Sequence, residues 1–247
     1  VLQRLLAGIS VTSSDIMNMG VGGLLKEISS RPQPRSKPVK TAADQHNNSV
    51  AILILAAGQS RRMGSDNKLL AQIAGKPMLS HVAAQALKSK AARVFAVTGY
   101  DREKIKSLLE NMDIDVFHNP DYADGLSSSL KIGFAALADA YEGILICLGD
   151  MPFVTTKLFD QLIDAFDREE GRAIIVPAYN GKRGNPVLIA SVFKPDILAV
   201  TGDIGAKSLI AENEHVVFTV DIENNSIFRD IDTPNALMNV QTDSEPD

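Results

Sequence analysis

From residue 49 onward, apolar and polar positions fall into blocks with two periods. Five short runs are apolar almost throughout: Val50 to Leu55, Arg93 to Thr98, Ile114 to His118, Gly143 to Leu148 and Ala173 to Pro177. Runs of that length without polar alternation mark strands buried on both faces, the pattern of a parallel sheet covered on each side. Between them, "PMLSHVAAQALKS", "REKIKSLLENM", "SLKIGFAALADA" and "TTKLFDQLIDAFDREE" repeat apolar residues at three- and four-residue intervals, which predicts helices with one buried face. Strands and helices in regular succession build βαβ units. The expectation is one three-layer α/β/α domain over residues 49–240, with a mostly parallel sheet.

The texture differs outside that span. Residues 1–48 hold the glycine-rich "MNMGVGGLLKEISS" and then "RPQPRSKPVKTAADQHNNS", rich in proline, basic and small polar residues. The second stretch reads as a linker, and the segment as a whole is expected to lack a packed core of its own. Residues 241–247 read as a polar tail. The chain starts at Val1 rather than methionine, which raises the expectation of a piece of a longer polypeptide.

Composition narrows the function. At 247 residues and 45% hydrophobic content there is material for a substantial core, while a net charge of -5 argues against a surface built for nucleic acid or an anionic membrane. No apolar run reaches the roughly 20 residues of a membrane span, and no secretory signal is evident, so a cytoplasmic location is expected. The single cysteine, Cys147, lies inside the apolar run "ILICLGD" and reads as a core residue. The four histidines are scattered without metal-binding spacing.

In open parallel sheets ligands collect at the carboxyl ends of the strands, so the residues after each strand matter most. After the first run comes "LAAGQSRRMGSDNK", residues 55–68. Following Leu55 in this nucleotide-binding candidate stretch, Ala56, Ala57 and Gly58 keep the backbone bare, so a ligand can approach main-chain N–H groups; Arg61, Arg62 and Lys68 can deliver positive charge to phosphates. The spacing is neither a P-loop nor a dinucleotide fingerprint, and taken alone the stretch is equally a solvated basic loop. After the third run, "HNPDYADGLSSSLKIG" places Gly125 and three serines, Ser127, Ser128 and Ser129, at a helix start, either as a well-capped helix or, since three serines exceed what capping requires, as groups that take an anion and bind the second substrate. After the fourth, "LGDMPFV" holds Asp150 at a sheet edge, either as a turn aspartate or as a ligand for Mg²⁺ carried by a nucleoside triphosphate. "NGKRGNPVLI" reads as a hairpin entering a strand, with Lys182, Arg183 and Asn185 available to a second substrate. "FRDIDTPNAL" sets Asp232 where it can complete a metal site with Asp150, ahead of a helix capped by Thr233; for Asp230 the expectation is only a favourable charge near that helix start. "TGDIGAKSLI" offers Lys207 either to a second substrate or as an ordinary loop residue.

Together, "LAAGQSRRMGSDNKLL", "GLSSSLKIG", "LGDMPFV", "RGNPVLI" and "DIDTP" resemble the molybdenum cofactor nucleotidyltransferases, and among them the cytidylyltransferase branch, over residues 50–240. The resemblance implies a Rossmann-like nucleotidyltransferase fold. It further implies that Ala57 and Gly58 meet base and ribose through backbone groups, that Arg62 and Lys68 grip the triphosphate, and that Asp150 binds Mg²⁺ with Asp232 as second ligand. The implied reaction joins CMP from CTP to the phosphate of molybdopterin. Relatives using GTP typically read Leu-Ala-Gly-Gly at the first exit; Ala57 in place of that glycine, and Asn67 before Lys68, lean toward CTP. The alternatives are a guanylyltransferase on the same cofactor, a transferase to a sugar phosphate, and a non-catalytic molybdenum cofactor carrier delivering to recipient molybdoenzymes. By the same resemblance, "LAGISVTSSDIMNMGVGGLLKEISSRPQPR" looks like the carboxyl end of a fused molybdopterin-binding domain.

Overall fold

A computed structural model of the chain describes residues 49–60, 67–202, 206–233 and 235–238. The expectations for residues 1–48 and 241–247, and for Arg62, lie outside these residues.

The strands form where the apolar runs fall. β1 (Val50–Ala56) is buried at all seven positions. A β2–β3 ribbon (Gln72–Ile73, Lys76–Pro77) leads into α1 (Met78–Leu87). Then come β4 (Arg93–Thr98), α2 (Arg102–Leu109), β5 (Ile114–His118), α3 (Leu126–Leu137), β6 (Gly143–Leu148) and α4 (Thr156–Ala165). The second half adds β7 (Ile174–Tyr179), β8 (Lys182–Arg183), β9 (Val187–Ala190), α5 (Lys194–Ala199), α6 (Lys207–Glu212) and β10 (Val217–Asp221). The sheet runs β10-β7-β9-β6-β1-β4-β5, with β8 pairing β7 at the side. β1 pairs in parallel with β4 and β6, and β7 in parallel with β10, whereas β9 is antiparallel to both its neighbours. The sheet is mostly parallel, as expected, with β9 as the inserted exception.

Two apolar layers cover the sheet. Alternate residues of β1 face opposite sides: Ile52 and Ile54 pack with α1, α2 and α4, whereas Ala51, Leu53 and Leu55 pack with α3, α5 and α6. Gly133 of α3 is needed for that approach, since a Cβ there would lie 2.4 Å from Leu53 Cδ2. The crossovers β1→β4 and β4→β5 step one way with their helices on one face, and β5→β6 steps back with α3 on the other, so these three share a hand. The crossover from β6 to β7 also steps back, yet α4 lies on the α1 face, and its hand is therefore opposite, against a strong general preference. Local bonds fix α4 there: the Thr155 hydroxyl caps it, accepting from the Leu158 N–H at 3.2 Å, and Thr156 bonds Gln85 of α1. No helix among the described residues is long and apolar enough to cross a membrane.

Cys147 is wholly enclosed in the α1 face, and that burial, with Asp150 adding to it, pushes its thiol well above the ordinary value of 9.0. The folded thiol keeps its proton while the unfolded one ionises above that pH, so stability is lost on the alkaline side. Wild type should lose about 1 kcal/mol more than Cys147→Ala between about pH 9 and 10, read from denaturant midpoints. An aromatic disulfide reagent should label the thiol only after unfolding.

Candidate active site

The register pairs Leu55 with Leu148, so β1 and β6 leave the sheet side by side. Gly149 joins these exits: its N–H donates to the Leu55 carbonyl at 3.0 Å, and a Cβ on it would come within 3.2 Å of that oxygen and of Leu79. A side chain at 149 would push Asp150 away from the β1 exit. On the β1 side, Ser60 and Asn67 stand at either end of residues 61–66. The Ser60 hydroxyl accepts the Lys68 N–H at 3.1 Å, and Asn67 Oδ1 accepts the Leu69 N–H at 3.1 Å, starting a 3-10 turn over Lys68–Leu70. Leu69 is buried and anchors that turn. Asp232 reaches the same point because the Ile231 N–H donates to the Asp150 carbonyl at 3.0 Å and the Ile231 side chain packs with Ile73 and Met78. As a result, Lys68 Nζ donates to both Asp150 Oδ2 and Asp232 Oδ1.

These groups line one side of an open cleft of about 650 Å³ at the carboxyl end of the sheet. Ala57 and Gly58 contribute to it, and a Cβ placed on Gly58 would meet no atom of the described residues within 4 Å. Tyr122, Gly125, Leu126 and Ser129 line it from the β5 to α3 connection, with Lys207 from the start of α6. Behind the serines lies Asn119, wholly buried at the β5 exit: its Oδ1 accepts the Asp121 N–H, and its Nδ2 donates to Ser128 Oγ and Ser129 Oγ at 2.8 and 2.9 Å. Ser127 and Ser128 open onto a neighbouring hollow of about 430 Å³ that also includes Lys131.

With this geometry in view, the family model described as a MobA-like NTP transferase domain matches residues 52–216. The chain belongs to that family. Among curated relatives, the molybdenum cofactor cytidylyltransferase of Escherichia coli (strain K12) is 31% identical over 76% of this chain and 93% of its own length. A bifunctional protein GlmU from Rhizorhabdus wittichii is 34% identical over 64% of this chain, which spans only 32% of that protein. Among solved structures, the Mycobacterium tuberculosis Rv0371c homologue from Mycobacterium sp. strain JC1 superposes with a TM-score of 0.71 at 26% identity, covering 79% of this chain and 96% of that one. The three-layer fold inferred from the apolar runs is thus the fold of this NTP transferase family.

Within the family frame, the structure brings Leu55, Ala57, Gly58, Lys68, Asp150, Asp232 and Ser129 to one cleft, while Ala56 lies buried at the strand end behind it. The methyl group of Ala57 is 3% exposed and belongs to the core on the α3 face, so its bearing on base size is not that of a group pointing at the ligand. Arg183 is held away from the cleft by a two-pronged pair with Glu214 at 2.6 and 3.0 Å. Asn185 is bonded through its N–H to the Ile227 carbonyl and precedes a cis proline; neither residue lines the cleft. The expected Thr233 cap is present, its hydroxyl accepting the Ala236 N–H at 3.2 Å. Sequence reading missed the roles of Asn119 and Ser60 and gave Asp230 no place in the cleft it lines. Asn119 stands directly after a strand, where the strand-exit rule points.

Electrostatics tie the pair of carboxylates to the lysine. Burial works against the Lys68 charge, but Asp150 and then Asp232 outweigh it and hold the ammonium above the usual lysine range. Burial raises the Asp150 carboxyl; Lys68 opposes the rise, and Asp232 and Asp230 add to it. Asp150 Oδ1 is buried without a hydrogen-bond partner among the described residues, an acceptor with capacity to spare. No cluster of three or more His, Cys, Asp or Glu side chains forms a metal cage among those residues. Two carboxylates converging on one point, one with an orphaned oxygen, fit a Mg²⁺ ion that takes its remaining ligands from phosphate and water.

Removing the cation should leave two carboxylates facing each other in a partly buried site. Lys68→Met is therefore expected to cost about 2 kcal/mol at neutral pH without metal, less than for a fully buried pair because Asp232 is 37% exposed. That corresponds to a fall of roughly 4–8 °C in thermal midpoint. Added Mg²⁺ should raise the midpoint of this variant more than that of wild type, and adding Asp150→Asn should restore much of the loss.

Proposed function

We propose that the chain is a Mg²⁺-dependent nucleotidyltransferase that transfers CMP from CTP to the terminal phosphate of molybdopterin, giving a cytosine dinucleotide cofactor and pyrophosphate. The observation that carries the reading is the meeting of Lys68, Asp150 and Asp232 at the joined exits of β1 and β6, inside a cleft with bare backbone at Gly58. The choice of CTP and of molybdopterin is supported by similarity to the E. coli cytidylyltransferase across 93% of that protein.

The acceptor is a phosphate monoester, largely dianionic at neutral pH because its second pKa is about 6, so no general base is needed. Its oxygen forms a bond to the α-phosphorus of CTP while the bond from that phosphorus to the β-bridging oxygen breaks, and pyrophosphate leaves with the electron pair. Mg²⁺ held by Asp150 and Asp232 would supply charge neutralisation at the phosphate oxygens. Lys68, poised between the carboxylates, would meet the charge growing on the departing pyrophosphate. Arg62, from the motif it belongs to, is proposed to grip the same triphosphate. Gly58 would let ribose and base lie against the main chain, because a ligand can approach to contact distance where no Cβ stands. The role of the fold is in-line positioning.

Anaerobic pyrophosphate release with Mg²⁺ and molybdenum cofactor, offering CTP and GTP in parallel, tests the reading. Release with CTP, lost in Asp150→Asn, is the expected result; release with GTP alone would change the base. Release only with a sugar phosphate would change the acceptor, and absence of release from protein that binds the cofactor would point to a carrier. Gly58→Ala supplies a second measure: its methyl meets no atom of the described residues, so the thermal midpoint should hold while CTP affinity falls about tenfold or more. Unchanged affinity would remove Gly58 from the nucleotide site.

A further inference from the structure

We infer that Arg229, set over the ring of Phe153, is the positioning residue that holds Asp232 in its place beside Asp150. The inference rests on the transferase reading, in which these two carboxylates hold the metal, and adds the contact that keeps them together.

Phe153 is a platform that moves with Asp150. It lies three residues on from that carboxylate, in a turn where the Val154 N–H donates to the Met151 carbonyl at 3.2 Å, Met151 and Val154 are both buried, and Pro152 stiffens the chain. Arg229 lies equally far ahead of Asp232, and its Cζ stands 3.6 Å from the centre of the Phe153 ring, well inside the range of cation–π attraction. Between these residues the Ile231 N–H bonds the Asp150 carbonyl at 3.0 Å. The two segments that carry the carboxylates are therefore tied side by side, once through the main chain and once through side chains.

The contacts along residues 229–232 show what the second tie does. Arg229 meets Phe153, and Ile231 packs in the apolar cluster with Ile73 and Met78 against which Phe153 also packs, whereas Asp230 and Asp232 line the cleft. Side chains thus alternate between two sides of the segment, as in an extended chain, and whatever seats the odd-numbered residues aims the even-numbered ones. Ile231 alone fixes a single point, about which the segment could turn. An anchor two residues away fixes its rotation as well. The anchor before that is more distant: the Ile227 carbonyl accepts the Asn185 N–H at 3.2 Å, and bare Gly184 permits the approach, since a Cβ there would lie 2.6 Å from the same oxygen. Phe228 and Asp230, on either side of Arg229, are exposed. Charge gives the tie something to resist. Asp150, Asp230 and Asp232 gather in one cleft and repel one another, and Asp232, 37% exposed, has water to retreat into. The contact of Arg229 with Phe153 holds the segment inward.

Mn²⁺, standing in for Mg²⁺, tests this on nucleotide-free protein by electron paramagnetic resonance titration. Arg229→Ala should weaken Mn²⁺ binding about tenfold, and so should Phe153→Leu, which keeps the cluster filled but removes the ring. The double variant should lose no more than either alone, because both remove one contact, and Arg229→Lys should recover part of the loss by keeping a cation over the ring. In steady-state kinetics Arg229→Ala should raise the Mg²⁺ concentration for half-maximal rate about tenfold, with kcat restored by excess Mg²⁺ and KM for the acceptor unchanged. A merely structural contact would lower the thermal midpoint and leave Mn²⁺ affinity as it is. That result would overturn the inference, as would additive losses in the double variant or the absence of a saturable Mn²⁺ site on wild type. Weakened Mn²⁺ binding in the variants, from a wild type that releases no pyrophosphate with CTP or GTP, would instead uphold the role of Arg229 and remove the transferase reading.

Discussion

Enclosure of β1 is the constraint from which the rest follows. Its seven residues are buried on both faces and hydrogen-bonded along both edges, to β4 and to β6. A strand so placed admits no polar side chain along its length, since an unpaired polar group there would cost several kcal/mol. Every polar function is displaced to its ends. At the carboxyl end β6 stops in register with it, and the Gly149 N–H to Leu55 carbonyl bond locks the two exits together. One strand therefore supplies the bare backbone and its neighbour the carboxylate.

That junction produces a site with its own internal counter-ion. Asp150 leaves the sheet directly from its buried edge, where burial works against its ionised form; Lys68, brought in by the Ser60 and Asn67 bonds, works in favour of it. Asp232 completes a triad of two carboxylates about one ammonium, uneven within itself, in which Asp150 Oδ1 has no hydrogen-bond partner among the described residues. Such an imbalance is the kind of local inconsistency that folds retain where function requires it. It leaves room for a divalent ion and a polyanion to enter together, each lowering the cost of the other.

Much of this was legible in the chain. The limits of β4, β5 and β6 coincide with the apolar runs: β4 and β6, buried along nearly their whole length, leave an unbroken apolar trace, whereas β5 is a half-buried edge strand marked by Ile114, Val116 and Phe117. β10 escaped notice because Val217–Asp221 is an edge strand with only partial burial, whose residues satisfy neither period cleanly. The insertion of β9 between β6 and β7 could not be read from local pattern, since an antiparallel strand and a parallel one look alike when both faces are covered. In the site, Lys68, Asp150 and Asp232 follow from the rule about strand exits, but their sharing of one ammonium depends on Ile231 packing with Ile73 and Met78, more than 150 residues earlier in the chain. Arg183 shows the reverse failure: its charge was visible, and its capture by Glu214 was not.

The place of β9 has a consequence for how the protein is made. By the time Leu148 emerges during synthesis, β1, β4, β5 and β6 can already pair as a contiguous half-sheet, since they are adjacent in the strand order and only β6 still lacks a neighbour. β7 follows without a partner beside β6, because the strand that lies between them, Val187–Ala190, has yet to appear. Growth of the sheet pauses there and resumes outward once β9 and β10 arrive. The first carboxylate of the cleft, Asp150, thus belongs to the early half and the second, Asp232, to the last stretch of the domain. A nascent chain can display Asp150 well before it has Asp232, so the meeting of both carboxylates with Lys68 waits until the ribosome has delivered nearly the whole domain.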